Sequence, residues 1–402
     1  MNYALFLLKS ALFDFSHHKG RTVLTSLGIL IGVLSVVLLS AFGLGLKVYI
    51  RQQFENLGTN ILVVLPGQPL RGGGFRTGPG AFSAVRFDEK DYTELRKVKN
   101  AIHVAPVFSK NVTISYKNES QPADLISTSA DLFPARNLTA DLGRVFSRED
   151  NEKKSKVIVI GPKLAEQLFG DKNSALDNKV KISGQSFKVI GILESKGGGG
   201  FGGPDFDTFV YIPYRTGFTL SPEKKFVNFI LKAESAEKIP ALKEEIVEKL
   251  SKHYENDEFQ VVEQTEILQA IGSIFNIVNT VLVAIAAVSL VVGGIGIMNI
   301  MYVSVSERMK EIGIRRAVGA RKKDVLFQFL VESSILSLFG GTLGVLVAII
   351  ITLLIQPLFP AQVSLESVLV ALIVSSVIGV LFGVLPARKA ANLSPIEAIR
   401  YE

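Results

Sequence analysis

The chain contains no cysteine and no tryptophan, and only four histidines. Without cysteine it can build neither a disulfide framework nor a thiolate metal site. His17, His18, His103 and His253 form no His-Glu-x-x-His arrangement, so zinc hydrolysis lacks its ligand set. Adjacent side chains on a helix point about 100° apart, so His17 and His18 read as part of a basic flank with Lys19 and Arg21. Neither glycine-rich stretch, 67–80 or 197–203, leads into Lys-Ser/Thr at a helix start, which excludes a P-loop. They read as loop tips, or as contact points for a partner or substrate. No convergent set of acid, base and nucleophile stands out. The expectation is a chain with no catalytic residue, no metal and no cofactor of its own.

Charge is also missing, and in long runs. Residues 22–46, 267–306, 333–355 and 367–385 carry no Asp, Glu, Lys or Arg, and runs of this length read as membrane spans. The first is too long for a signal-peptide core, so we take it as a retained anchor. The second holds about 40 residues, which as one helix would extend roughly 60 Å, twice the roughly 30 Å of bilayer hydrocarbon. Half of it must lie outside the membrane. Its first part places Ile267, Ile271, Ile274, Val278 and Val281 on a narrow 4-3-4-3 seam suited to another helix, the stalk (267–280), and its second part, 281–303, is apolar all round. Residues 47–57 extend the first span in the same way and offer Ile50, Phe54 and Leu57 as a neighbouring seam.

Lys and Arg fix the orientation. They crowd 304–324 and the tail at 386–402, and none lies in 356–367, which puts both termini in the cytoplasm. The net charge of +7 is explained by these flanks, and nucleic acid is not an expected partner. Residues 1–21 read as an interfacial helix with Leu5, Leu8, Leu12 and Phe15 on one face. Gly28/Gly32, Gly340/Gly344 and Gly379/Gly383 are spaced for close helix packing, with dimerisation through the first pair as the lesser reading.

Between the first two spans, 58–266 has a soluble composition. Strands are expected near 60–65, 112–116, 157–160, 187–193, 208–212, 226–231 and 259–262. Asp88 caps a helix that turns Tyr92 and Leu95 inward, and 236–253 is amphipathic through Ile239, Leu242, Ile246 and Leu250. The strand-rich part, 107–219, reads as a subdomain inserted into the rest. The expected fold is an α-helical membrane protein with four transmembrane helices (22–46, 281–303, 333–355, 367–385) and a large extracytoplasmic α+β domain of two subdomains.

Several segments closely resemble the MacB/FtsX-like permeases of ABC transporters. They are Gly293-Gly-Ile-Gly-Ile-Met-Asn299, Val303-Ser-Val-Ser-Glu-Arg308, Lys310-Glu-Ile-Gly-Ile-Arg-Arg-Ala-Val-Gly-Ala320, Leu385-Pro-Ala-Arg-Lys-Ala-Ala391 and Leu393-Ser-Pro-Ile-Glu-Ala-Ile-Arg-Tyr-Glu402. Leu142-Gly-Arg-Val-Phe146 and Val189-Ile-Gly-Ile-Leu193 resemble the family's MacB-type periplasmic core. The resemblance implies a homodimer in the inner membrane whose outer domain is moved by a cytoplasmic ATPase. Only about twenty residues precede the first span, so a separate ABC ATPase dimer is expected to carry ATP and Mg. By resemblance 304–324 would couple to it through Glu307, Arg308, Glu311, Ile312, Arg315 and Arg316. Ser394, Pro395 and Glu397 have the pattern of a capping box at a second ordered contact.

The expected function is export by mechanotransmission of an amphiphile, peptide or lipoprotein, with an extracytoplasmic adaptor of the membrane-fusion type as a further partner. The alternative is a transmembrane regulator that transports nothing and pulls on an outer partner such as a cell-wall hydrolase.

Overall fold

A computed structural model describes residues 19–56, 58–71, 74–75, 86–197, 205–221, 223–357 and 359–394, the side chains of 19–25 and 71 excepted. The expected N-terminal interfacial helix, the tips of both glycine loops and the capping box at Ser394 lie wholly or partly outside them. In chain order the elements are α1 (Lys19–Asn56), β1 (Ile61–Pro66), β2 (Leu70–Arg71), β3 (Gly74–Phe75), α2 (Glu89–Leu95), β4 (Ala101–Tyr116), β5 (Glu119–Thr128), α3 (Leu132–Ala135), β6 (Ala140–Gly143), α4 (Arg148–Glu152), β7 (Val157–Ile160) and α5 (Pro162–Phe169). There follow β8 (Lys179–Ile182), β9 (Gln185–Leu193), β10 (Val210–Pro213), α6 (Tyr214–Gly217), β11 (Asn228–Ala233), α7 (Ile239–Leu250), β12 (Phe259–Glu263), α8 (Gln264–Glu307), α9 (Met309–Ala317), α10 (Lys322–Ile355) and α11 (Leu365–Asn392). They form two units, 50–274 and 1–49 with 275–402.

The 50–274 unit is built on one sheet, in the order β12-β1-β11-β4-β5-β10-β7-β9-β6, with β8 bridging β4 and β9. Alternation along each strand sorts the core into two faces. Leu62 and Val64 of β1, Phe229 and Leu231 of β11, and Phe87, Tyr92 and Leu95 share one cluster, covered by Leu242, Ile246 and Leu250 of α7. Ile158 and Ile160 of β7, Val210 and Ile212 of β10, and Leu164, Ala165 and Leu168 of α5 make a second. The intervening residues, Ile61, Val63, Ala105, Val107, Val159, Tyr211 and Ile230, meet Phe133 and Phe146 in a third. This third cluster draws on strands from both halves of the sheet. The sixteen-residue β4 joins the halves as well, pairing with β11 from Ala101 to Val107 and with β5 from Val107 to Tyr116. Residues 107–219 thus hold a cluster of their own while sharing a strand and a core face with their flanks.

Local sequence explains the helices. Asp88 accepts from the backbone N–H groups of Lys90 and Asp91, while Asp91 accepts from that of Asp88, a closed capping box that starts α2. Pro162 stands in the first turn of α5 and Gly170, at φ +78°, ends it.

Four helices are long and apolar enough to cross a membrane, 26–56, 264–307, 322–355 and 365–392; the last two lie wholly in the other unit, and the first two have residues in each. Small residues set how closely they approach. A Cβ on Gly28 would lie 2.9 Å from the Cα of Gly293, so α1 and α8 touch backbone to backbone. Gly340 and Gly344 of α10 rest on the carbonyls of Ser26 and Leu30 in α1, and Gly379 and Gly383 of α11 rest on Ser337 and Ser333 of α10. Ser375 Oγ donates to the Ser337 carbonyl at 2.7 Å, satisfying a hydroxyl that hydrocarbon would leave unpaired. All three glycine pairs seen in the sequence therefore pack helices of one chain.

Candidate functional site

The charged segment after α8 has a definite shape. The helix breaks at Arg308, whose backbone leaves helical geometry (φ −100°, ψ 13°), and restarts as α9. Gly319, at φ +110°, closes α9 while the N–H of Ala320 reaches back to the Arg315 carbonyl. One residue bends the chain and another stops it, which leaves a stiff nine-residue rod between two long helices.

Ion pairs fix that rod. Arg308 Nε donates to Glu311 Oε2 at 2.9 Å, and its Nη1 lies 3.4 Å from Oε2 of Glu332, a buried carboxylate in α10. The same guanidinium lies 5.7 Å from the centre of the Phe329 ring, and the site combines charge, fork geometry and an aromatic face, all of which arginine suits. Glu311 also pairs with Arg315, which donates to Gln328 at 2.8 Å, and Arg316 donates to the carbonyl of Ala391 in α11. Hydrogen bonding to Arg308, aided by the charges of Arg308 and Arg315, holds the Glu311 carboxyl below the usual glutamate range.

The apolar positions divide. Ile312 is 3% exposed and packs with Val325, Phe329, Ala387 and Ala390. Ile314 and Val318, one helical turn apart, are 56% and 85% exposed. Lys310 and Glu307 are exposed too. Of the six residues expected at the coupling surface, Arg308, Glu311, Ile312, Arg315 and Arg316 make contacts inside the chain, and Glu307 is exposed, as are Lys310, Ile314 and Val318.

The expected stalk residues also separate. Ile267 packs with Leu70, Val262 and the buried Ala270, and Ile271 is half-buried. Ile274, Val278 and Val281 are exposed. Near its start α8 is tied to α1 by a 2.7 Å bond from Gln264 Nε2 to the Phe54 carbonyl. Among the described residues, no group of three or more His, Asp or Glu is placed to hold a metal ion.

The described chain combines four apolar helices, a β-rich domain between the first two and a braced charged rod after the second. Comparison with known proteins identifies the class as that of an ABC transporter permease. The family model for the MacB-like periplasmic core domain matches residues 22–249, and that for the FtsX-like permease C-terminal matches 268–395. The chain belongs to the MacB/FtsX-like permease family. The macrolide export ATP-binding/permease protein MacB of Bdellovibrio bacteriovorus is 37% identical over 394 residues, 96% of this chain and 60% of its own length. The uncharacterized ABC transporter permease YknZ of Bacillus subtilis is 34% identical over 400 residues, 98% of each chain. The periplasmic region of MacB from Actinobacillus actinomycetemcomitans covers 54% of this chain and 94% of that structure at 19% identity, with a TM-score of 0.45. The chain thus spans 60% of the length of the first MacB relative and nearly all of the Bacillus permease. It is a multi-pass membrane protein of the permease type.

Proposed function

We propose that this chain is the permease subunit of an ABC-type exporter that works by mechanotransmission. A separate ATPase dimer, which holds ATP and Mg, docks on the cytoplasmic side against α9 in each of two permease copies. Its closure moves the β-rich domain outside the membrane and drives out an amphiphilic compound, a peptide or a lipoprotein. Both termini lie in the cytoplasm, and a membrane-fusion-type adaptor extends the path. The MacB relatives carry macrolide export in their name, and an amphiphile of that kind suits a chain that acts at the membrane surface.

The observation that carries this reading is the uncovered pair Ile314 and Val318 on a helix otherwise braced by Arg308, Glu311, Arg315 and Arg316. A rod held rigidly at its back with two apolar side chains at its front is built to receive force. Covering them would remove apolar surface from water, which favours docking. The double substitution Ile314→Asp with Val318→Asp tests it. The variant should reach the membrane with an unchanged melting temperature in detergent, since neither side chain is part of the core, and should lose stimulation of the partner ATPase and export together. Full stimulation by the variant would refute the docking surface.

A further inference from the structure

The β-rich unit contains a second feature, independent of α9. Where α2, α4 and α6 converge, a polar cavity of about 70 Å³ opens between Tyr92, Ser129, Asn151 and Tyr214, with Arg96, Arg148 and Arg215 around it. Its volume is far below the roughly 300–1,000 Å³ of sites for drug-sized ligands, so it holds one small polar group. The four residues at its base are each over nine-tenths buried. Tyr214 Oη lies 2.9 Å from Glu89 Oε1, the Arg215 N–H donates to Asn151 Oδ1 at 3.3 Å, and Ser129 Oγ donates to the Val104 carbonyl at 3.4 Å.

Three guanidinium groups around one cavity repel each other unless anions answer them. Two are answered in part. Arg215 gives Nε and Nη2 to Glu89, at 3.0 and 2.7 Å, and Arg148 gives Nη2 to Asp131 at 3.0 Å. Arg96 has no carboxylate partner among the described residues; its guanidinium lies 5.8 Å from the Tyr92 ring centre, and the side chain is exposed. Glu152 is the one carboxylate on the cavity lining. Each arginine carries five N–H donors in a planar fork. All those of Arg96, Nη1 and Nε of Arg148 and Nη1 of Arg215 make none of the hydrogen bonds to carboxylates. Arginine forks match carboxylates and phosphates better than any other groups, and a cavity of this size accepts a single such head.

We propose that this cavity binds a tetrahedral oxyanion of the phosphate class, with Arg96 as its principal ligand and Arg148 and Arg215 as secondary ones. The oxyanion is either a free ion or the headgroup of a larger amphiphile whose remainder lies outside the cavity. The site belongs to the β-rich unit alone and does not depend on the coupling reading.

The test uses the full chain in detergent, without an ATPase, so its outcome is separate from that of the α9 experiment. Inorganic phosphate is titrated by calorimetry at constant ionic strength against a chloride control, and short-chain phosphatidic acid is titrated against phosphatidylcholine of the same chain length. Saturable binding is expected, weakened at least tenfold by Arg96→Gln, partly restored in Arg96→Lys, and unchanged by the neighbouring control Lys97→Gln. Tighter binding of phosphatidic acid through Arg96 identifies a headgroup; equal or tighter binding of inorganic phosphate identifies a free ion. Absence of saturable binding by both probes, or equal binding by Arg96→Gln and Lys97→Gln, overturns the proposal. Because Arg96 is exposed, a matching melting temperature will confirm that Arg96→Gln folds.

Discussion

Arg308 occupies the bend between α8 and α9, and its guanidinium is divided between Glu311 on its own segment and Glu332 of α10. Replacing it with Gln removes charge-assisted bonds from a buried carboxylate, and the melting temperature in detergent should fall by the equivalent of about 1–3 kcal/mol. Glu311→Lys would set a cation beside Arg308 and Arg315, so it should disturb the fold of the segment as well as coupling; it is a poorer probe of docking than Ile314 or Val318. The depressed Glu311 pKa gives a pH signature. A carboxyl held below its ordinary value of 4.5 contributes stability that is fully present above that value and is lost as pH falls through the depressed one. The melting-temperature difference between wild type and Glu311→Gln should be constant from pH 7 to about 5 and shrink only in stronger acid. Sequence made the charged segment conspicuous and could not say which of its apolar residues face inward. Ile312 and Ile314 are two positions apart on one helix, and only the placement of α10 and α11 decides that the first is covered. The arginine cavity was invisible for a similar reason. Arg96, Arg148 and Arg215 are separated by about 50 to 70 residues of sequence and meet only through the fold.

At the scale of elements, the close helix contacts were partly legible. The Gly-x-x-x-Gly pairs announce small faces, yet their partners had to be seen: Gly293 for Gly28, and the serines of α10 for Gly379 and Gly383. Gly45 lies outside those patterns and is the tightest case. A Cβ there would overlap the carbonyl oxygen of Pro360, in the turn between α10 and α11. That turn is clamped on α1 by the Gln362 N–H to the Ala41 carbonyl at 3.1 Å and by an edge-on contact of Phe359 with Phe42, ring centres 5.0 Å apart. Gly45→Val should push the turn away and cost about 1–3 kcal/mol or more, read as a lower melting temperature and faster proteolysis within 356–364. Gly296, with open space around it, should accept Ala without loss. The strands at Ile61–Pro66, Val157–Ile160, Gln185–Leu193 and Phe259–Glu263 lie where apolar runs were expected, whereas β5, β6 and β8 had no such expectation. The strand order was not legible, because β1 pairs with β11 and β12, which lie far along the chain and carry no local mark of their partner.

At the scale of the molecule, α8 is one 44-residue helix with residues in both units, and α1 is one 38-residue helix through what reads in sequence as a span and its extension. An uninterrupted helix transmits force; a flexible joint dissipates it. Two glycines inserted after Asn279 should leave partner ATPase stimulation largely intact and abolish export. The central claim, that ATP binding elsewhere moves the β-rich domain, has a more direct test because the natural chain has no cysteine to interfere with labelling. Lys117→Cys puts a single spin label on the exposed β4–β5 turn, and pulsed EPR then reads the distance between the two copies in the reconstituted complex. The account predicts a distance that changes when ATP is added and ceases to change in the glycine-insertion variant. The same distance distribution with and without ATP would contradict it.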